Sequence, residues 1–212
     1  GATALIEKGW LSKHTIEMYA VKHEKVIDEI GLDGKKKKLK YATIYEKEIV
    51  SSVKRNNLII KLALEHVAKG NNVLIAVTRL AHGELLEKLL KPFLGEKVRF
   101  ANGEFKSEEL LDTLDKLGKK EIMVAIATTV FDEGITCPSL CTLISAKSQE
   151  SLVSTLQLAG RVLGKTETKD KVTIIDFLDT GSKFIDSHAK GRLKIYKSEP
   201  GFEIKIIKEN NS

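Results

Sequence analysis

Cysteine is scarce in this 212-residue sequence: there are two, Cys137 and Cys141, four positions apart. A pair so close builds no disulfide framework and supplies no four-ligand zinc set, which points to a reducing compartment. No apolar run approaches the roughly 20 residues of a membrane-spanning helix. Gly1–Trp10 does not pass from a charged to an apolar stretch, as a secretory signal would, so the chain is expected to be neither secreted nor membrane-bound. Gly1-Ala2 carries no initiator Met, as expected of a piece cut from a longer chain. What remains is ordinary globular composition, 42% hydrophobic and 30% charged. A chain of this length buries a core without help from a metal.

Charge is present in both signs, 35 Lys+Arg against 29 Asp+Glu, a formal +6. That excess weakly favours a polyanionic partner; its distribution carries more information than its sum. Gly31–Lys40, GLDGKKKKLK, reads first as a solvated loop and second as a basic binding arm.

Along the chain, Gly1–Glu24 combines a helix start with a short apolar stretch, Met18–Val21. Apolar residues from Tyr45 to Val67 fall at three- and four-residue steps, predicting one long helix that Gly70 ends. The pattern then changes. Val73–Val77, Val98–Phe100, Ile122–Ala127, Thr142–Ser145 and Val172–Asp176 read as short buried strands. Leu80–Leu94, Ser107–Leu117, Glu150–Leu163 and Phe184–Tyr196 read as helices between or after them. Phe202–Ile207 alternates like a terminal strand. Strands alternating with helices predict an α/β fold: a doubly wound, mostly parallel sheet with helices on both faces. The predicted division is an opening segment with the Lys-rich loop (residues 1–40), the main domain (41–207) and a tail (208–212). Sites in such sheets lie beyond the carboxyl ends of the strands. Attention therefore falls on Thr78-Arg79, Ala101–Gly103, Thr128–Gly134, Ser145–Ser148 and Asp176–Thr180.

Three constellations could carry chemistry. Ala159–Thr166, AGRVLGKT, satisfies a relaxed phosphate-loop pattern. A working phosphate loop follows a strand and opens a helix, whereas this segment closes one, so Gly164 reads better as a helix-ending glycine. Gln157 and Arg161, four apart on one helix face with Gly160 between them, could meet a phosphoryl group. Taken without context, an exposed polar helix face is the favoured explanation of the two side chains. The stretch Ala127–Pro138, directly after a buried strand, offers hydroxyls and backbone N–H groups suited to a phosphate backbone. Asp132-Glu133 lack a third ligand, and no metal site is predicted. Cys137 and Cys141 read as packing residues, and the five histidines show no ligand spacing. His188 reads as a core or interface residue.

Taken in order, VLIAVTRLAHGELL, FANGEF, IMVAIATTVFDEGITCPSL and STLQLAGRVLGK resemble the second RecA-like domain of superfamily 2 helicases. The nearest likeness is to phage and archaeal repair helicases and type III restriction-like ATPases. It runs from about Leu5 to Ile206. The resemblance implies a RecA-like fold of the P-loop NTPase type without its own P-loop, serving as the C-terminal motor domain of an ATP-dependent DNA helicase or translocase. It implies that Arg161 and Gln157 act catalytically on ATP and that Gly134, Thr136 and Gly160 help bind it. Thr78, Arg79, Gly103, Thr128 and Thr129 would line the sugar–phosphate track. Mg²⁺ would be held by an absent N-terminal RecA-like domain, the expected intramolecular partner. DNA would be gripped by its backbone, independent of sequence, with no membrane involved. The expected location is the cytoplasm of a bacterial, phage-infected or archaeal cell.

Two departures from the family pattern stand out. The nucleotide-contacting motif ends in an arginine where this chain has Gly164, and the coupling loop carries an aspartate where it has Thr136. Lys165 replaces charge but not guanidinium geometry. No phosphate loop in proper context and no acidic Mg²⁺ box precede Val73, so the chain is expected to hold half an ATP site and not to hydrolyse ATP alone. A catalytically degenerate RecA-like nucleic-acid-binding module, gripping a backbone through Lys35–Lys40 and the C-terminal lysines, is the alternative. A small-molecule α/β enzyme would need a triad at a strand end, and the sequence offers no convincing one.

Overall fold

The computed structural model describes residues 13–24, 26, 29–30, 36–101, 107–128, 139–148, 171–198 and 202–208. Strand β1 (Lys13–Lys22) comes first, then a small antiparallel hairpin, β2 (Glu29–Ile30) with β3 (Lys36–Lys37). Helix α1 (Tyr41–Tyr45) runs into a π-helical turn, Glu46–Val50, and α2 (Val53–Ala68) follows. Next come β4 (Val73–Ala76), α3 (Leu80–Leu94), β5 (Val98–Ala101), α4 (Ser107–Gly118) and β6 (Val124–Ala127). The described chain ends with β7 (Thr142–Ser145), β8 (Lys171–Thr180), α5 (Lys183–Ser198) and β9 (Phe202–Ile207).

Seven strands form one sheet in the order β5-β6-β4-β7-β8-β1-β9, and every pairing in it is parallel. Side-chain alternation divides the inner strands between two cores. Leu74 and Ala76 of β4 face one core with Leu114 and Leu117 of α4 and Tyr196 of α5. Val73 and Ile75 face the other, with Ile59 and Ala63 of α2 and Leu86 and Leu90 of α3. Strands covered on both faces cannot show a polar side, which is why they read as continuous apolar runs. The β4–β5 and β5–β6 crossovers share one hand, as the right-handed rule requires. From β4 to β5 the chain moves toward one edge and lays α3 on one face. From β5 back to β6 it reverses, and α4 lies on the opposite face.

The structure agrees with the predicted doubly wound fold and corrects three local readings. Lys13–Lys22 is a ten-residue strand inside the sheet, not a helix start. Its Ile16 and Met18 fill one core and Val21 the other, and its partners are β8, more than 150 residues away, and β9. Tyr45–Val67 is not one helix. The chain breaks at Ser51-Ser52, where Ser52 is extended and its side chain accepts from the Arg55 N–H to cap α2. Gly70 does follow that helix, at φ +77°, where a β-carbon is disfavoured. Lys36–Lys37, read as loop, pair with Glu29–Ile30. The helix predicted at Glu150–Leu163 lies outside the described residues.

Candidate nucleic-acid and nucleotide face

All seven strands point their carboxyl ends toward one edge of the sheet. The strand order reverses beside β4: β5 and β6 lie to one side, β7 and β8 to the other. The crevice at such a switch point is where open α/β sheets take ligands. Thr78-Arg79 leave β4 there, Thr128 leaves β6, and Ala146–Ser148 leave β7.

Across this edge lies the strap formed by α1, the π turn and the start of α2, anchored by buried polar contacts. Arg55 is fully buried and donates from Nε to Asp179 Oδ1 at 3.0 Å and from Nη1 to the Ala146 carbonyl at 3.0 Å. Its guanidinium also sits 4.5 Å from the centre of the Phe177 ring. One side chain of α2 is thereby fixed to the ends of both β7 and β8. Burial alone would raise the Asp179 carboxyl, but Arg55 and then His23 overturn that and hold it below its ordinary range. Asn56 donates to the Val50 carbonyl at 2.8 Å and accepts from His82 Nε2 at 2.9 Å, joining strap to the first turn of α3. Burial, then Arg55, pushes the His82 imidazole down to about 3, so it is neutral at working pH.

Arg79 is exposed at the start of α3, its guanidinium 6.0 Å from the Tyr45 ring centre. Tyr45 itself is buried, so the strap offers Arg79 a fixed aromatic platform. Thr78 is half-buried and its hydroxyl faces inward with no partner among the described residues. Thr128 is nearly buried, 6% exposed, beside the Ala127 carbonyl that accepts from the Val77 N–H at 2.9 Å. Gly83, in the first turn of α3, has no room for a β-carbon, which would run into the Phe100 ring. That glycine lets α3 press onto β5.

Gly103, Thr129, Gly134, Thr136, Gln157, Gly160, Arg161 and Gly164 lie outside the described residues, as do Asp132-Glu133 and Cys137. Cys141 is a partly buried free thiol beginning the approach to β7, and His188 donates to the Ser148 carbonyl at 3.2 Å while meeting Tyr41 edge-on.

One arrangement escaped the sequence. His23 Nε2 donates to Asp179 Oδ1 at 2.8 Å, and its Nδ1 lies 3.3 Å from Ser52 Oγ. Serine, histidine and aspartate thus stand in line, the relation a nucleophile needs. The surroundings argue for structure instead. Asp179 is already engaged by Arg55, and the Ser52 oxygen caps α2. The three residues come from positions 23, 52 and 179, so only tertiary structure reveals them.

A family model described as the helicase conserved C-terminal domain matches residues 54–164, just over half of the chain. The chain belongs to the helicase C-terminal domain family. Over 147 residues it is 34% identical to the ATP-dependent DNA helicase UvsW of Enterobacteria phage T4, covering 68% of this chain and 29% of that protein. A putative helicase of Sulfolobus islandicus filamentous virus is 26% identical over 117 residues, covering 55% of this chain and 21% of its own length. The chain therefore spans less than a third of these curated relatives. The crystal structure of T4 UvsW superposes with a TM-score of 0.70 over 93% of this chain and 42% of that one, at 22% identity. The isolated C-terminal domain of the DEAD-box protein Dbp5 superposes at 0.55, covering 92% of this chain and 91% of that one, at 15% identity. These likenesses place the RecA-like fold of superfamily 2 helicase C-terminal domains on this chain.

Proposed function

We propose that this chain is the C-terminal motor domain of an ATP-dependent DNA helicase or translocase, working inside the cell in which a phage or virus of this kind replicates. The observation that carries the reading is Arg79, held outward on Tyr45 at the switch point of the sheet, within the region matched to the helicase family. The name of the T4 relative supports both ATP and DNA as ligands.

In this reading Arg79, the backbone at Thr78 and Thr128, and Gly103 and Thr129 hold the sugar–phosphate backbone of one strand. Arg79 offers a forked cation suited to a phosphate, and backbone N–H groups carry no base preference, so binding is sequence-independent and salt-sensitive. Arg161 and Gln157, with Gly134, Thr136 and Gly160, would face ATP gripped mainly by an N-terminal RecA-like domain of the same protein, which would also hold Mg²⁺. ATP supplies the free energy that opens and closes the two domains. This chain contributes positive charge to the phosphates and a hold on the strand. Alone it turns over no ATP.

Arg161→Ala in the complete protein tests the nucleotide half: DNA-stimulated ATP hydrolysis falls at least a thousandfold, in line with the ~10³–10⁵ attributed to such arginines. Hydrolysis that persists at the parent rate overturns it. Gly164, where the family carries a second arginine, favours a second reading, a nucleic-acid-binding module without ATPase activity. Complete protein that binds DNA yet never hydrolyses ATP, with or without Gly164→Arg, selects that reading.

A further inference from the structure

Two to three strands beyond Arg79, at the carboxyl ends of β8 and β1, a groove of about 1490 Å³ opens between the residues flanking the hairpin (Val26, and Lys38 with Leu39), α2 and the start of α5. Its volume exceeds the roughly 300–1,000 Å³ of small-molecule sites, which suits a length of polymer. Exposed Lys22 at the end of β1, Lys38 just after β3, Lys54 in α2 and Lys183 at the start of α5 stand around it. Glu24 and Asp186 also line it, and Asp186 pairs with Lys190 at 2.6 Å. The floor is partly apolar, with Leu39 and Ile44, and the Phe184 ring at the rim is half exposed.

Two of these lysines sit at the amino ends of helices. Lys54 is in the first turn of α2, which holds no acidic residue, whereas Lys183 opens α5 with Asp186 in its first turn and the Glu48 carboxylate accepting from the Ser182 N–H at 3.0 Å. The amino ends of helices carry partial positive charge and favour Asp, Glu or bound anions; Lys54 therefore adds to the potential at the start of α2, while Asp186 and Glu48 offset the start of α5 beside Lys183. Both helices are 16 residues long, and both aim that end at the same groove. Cations gathered around an apolar floor with an exposed ring are the features that hold a single strand, its phosphates on the lysines and a base on the aromatic face.

We propose that this groove binds the backbone of single-stranded nucleic acid as a continuation of the track that passes Arg79. At about 4.8 Å per strand step, β1 lies roughly 15 Å along the edge from β4, so a strand must extend past the first contacts to reach the groove. The inference rests on the proposed track.

The test measures binding of this chain to a short oligodeoxythymidylate and to a markedly longer one by fluorescence anisotropy across a salt series. The variant is Lys22→Gln/Lys54→Gln/Lys183→Gln, with folding checked by circular dichroism. The expected result is unchanged binding of the short strand, about tenfold weaker binding of the long one, and a salt slope shallower by about 2 for the long one, at ~0.7 per lost phosphate contact. Phe184→Ala weakens the long strand about tenfold with no change of salt slope. Unchanged affinity and slope on the long strand overturn the groove. So does a triple variant that keeps the long strand but loses affinity for polyglutamate, which assigns the groove to an acidic polypeptide. Arg79→Ala separates the two ideas: it weakens both lengths if the track reading holds, and if it weakens neither, the track reading fails whatever the groove does.

Discussion

His82 makes the folded protein sensitive to mild acid in a way that can be worked out in advance. The ring is fully buried, its Nε2–H donates to Asn56 Oδ1 at 2.9 Å, and its Nδ1 has no partner among the described residues. Protonation would add a second N–H facing no acceptor and a charge close to Arg55. Burial first and Arg55 second therefore lower its pKa from 6.5 to about 3. A histidine depressed in the folded state adds stability above its unfolded pKa, and that stability is lost as pH falls below 6.5, because only the unfolded chain takes the proton. At pH 5 the difference is about 1.5 pH units, or ~2 kcal/mol.

The perturbation is His82→Gln, whose amide nitrogen can donate to Asn56 without titrating. Urea denaturation of both proteins, followed by circular dichroism at pH 7.5 and pH 5, gives the two pH-dependent losses. Wild type loses about 2 kcal/mol more than the variant over that interval. His66, also depressed by burial and then Lys69, titrates in both proteins and cancels in the comparison. Any fixed cost of the substitution cancels too, since only the pH-dependent parts are compared. Equal losses in the two proteins refute the reasoning, because they mean that His82 is not held neutral by its burial.

Arg55→Met leaves the Asp179 carboxylate buried without its main partner, and equilibrium unfolding at neutral pH should show ~3–5 kcal/mol lost. Gly83→Ala drives a β-carbon into the Phe100 ring; chemical denaturation should show a loss of roughly 1–3 kcal/mol, the usual range for overpacking. Tyr45→Leu keeps an apolar core residue but removes the platform under Arg79. Single-strand binding should weaken severalfold by anisotropy, with melting temperature moving far less than the affinity, in keeping with ~0.5–1 kcal/mol for an exposed cation–aromatic contact.

The sheet was largely legible because β4, β6 and β7 are buried on both faces and show it as unbroken apolar runs. The opening strand was not. Lys13–Lys22 alternates Thr15, Glu17 and Tyr19 with Ile16 and Met18, and its neighbours in the sheet come from the far end of the chain. Nothing within a local window reveals parallel pairing over such a separation. The break at Ser51-Ser52 had a local signature, a serine three residues before a helical N–H it caps, but the apolar spacing continued across it and masked it. Arg55 hid for a related reason. It precedes Ile59 and Ala63 by four-residue steps and so lies on the buried stripe of α2, a position usually denied to a charge. The matching signal was Asp179 on the strand-end segment already marked for attention. Neither residue was informative without the other.

Strand β8 shows why these charges sit where they do. Asp176 and Asp179 are three apart and therefore face opposite sides of the sheet. On one side, Asp176 takes Arg192 Nε at 2.9 Å and the Tyr196 hydroxyl at 2.9 Å, both from α5. On the other, Asp179 takes Arg55 from α2 and His23 from the end of β1. Apolar side chains of similar size would hold these helices at least as firmly, since burying a charge pair roughly cancels its own attraction. They would not discriminate among neighbouring registers. A one-residue slip of β8 would exchange the faces and leave two carboxylates and two guanidiniums buried apart from one another, a loss far beyond what repacked leucines could offset. The paired charges therefore set register, and through Arg55 and Asn56 they set where the strap lies. Tyr45 and His82 are fixed by that same strap, so the position of Arg79 at the switch point depends on an aspartate two strands away.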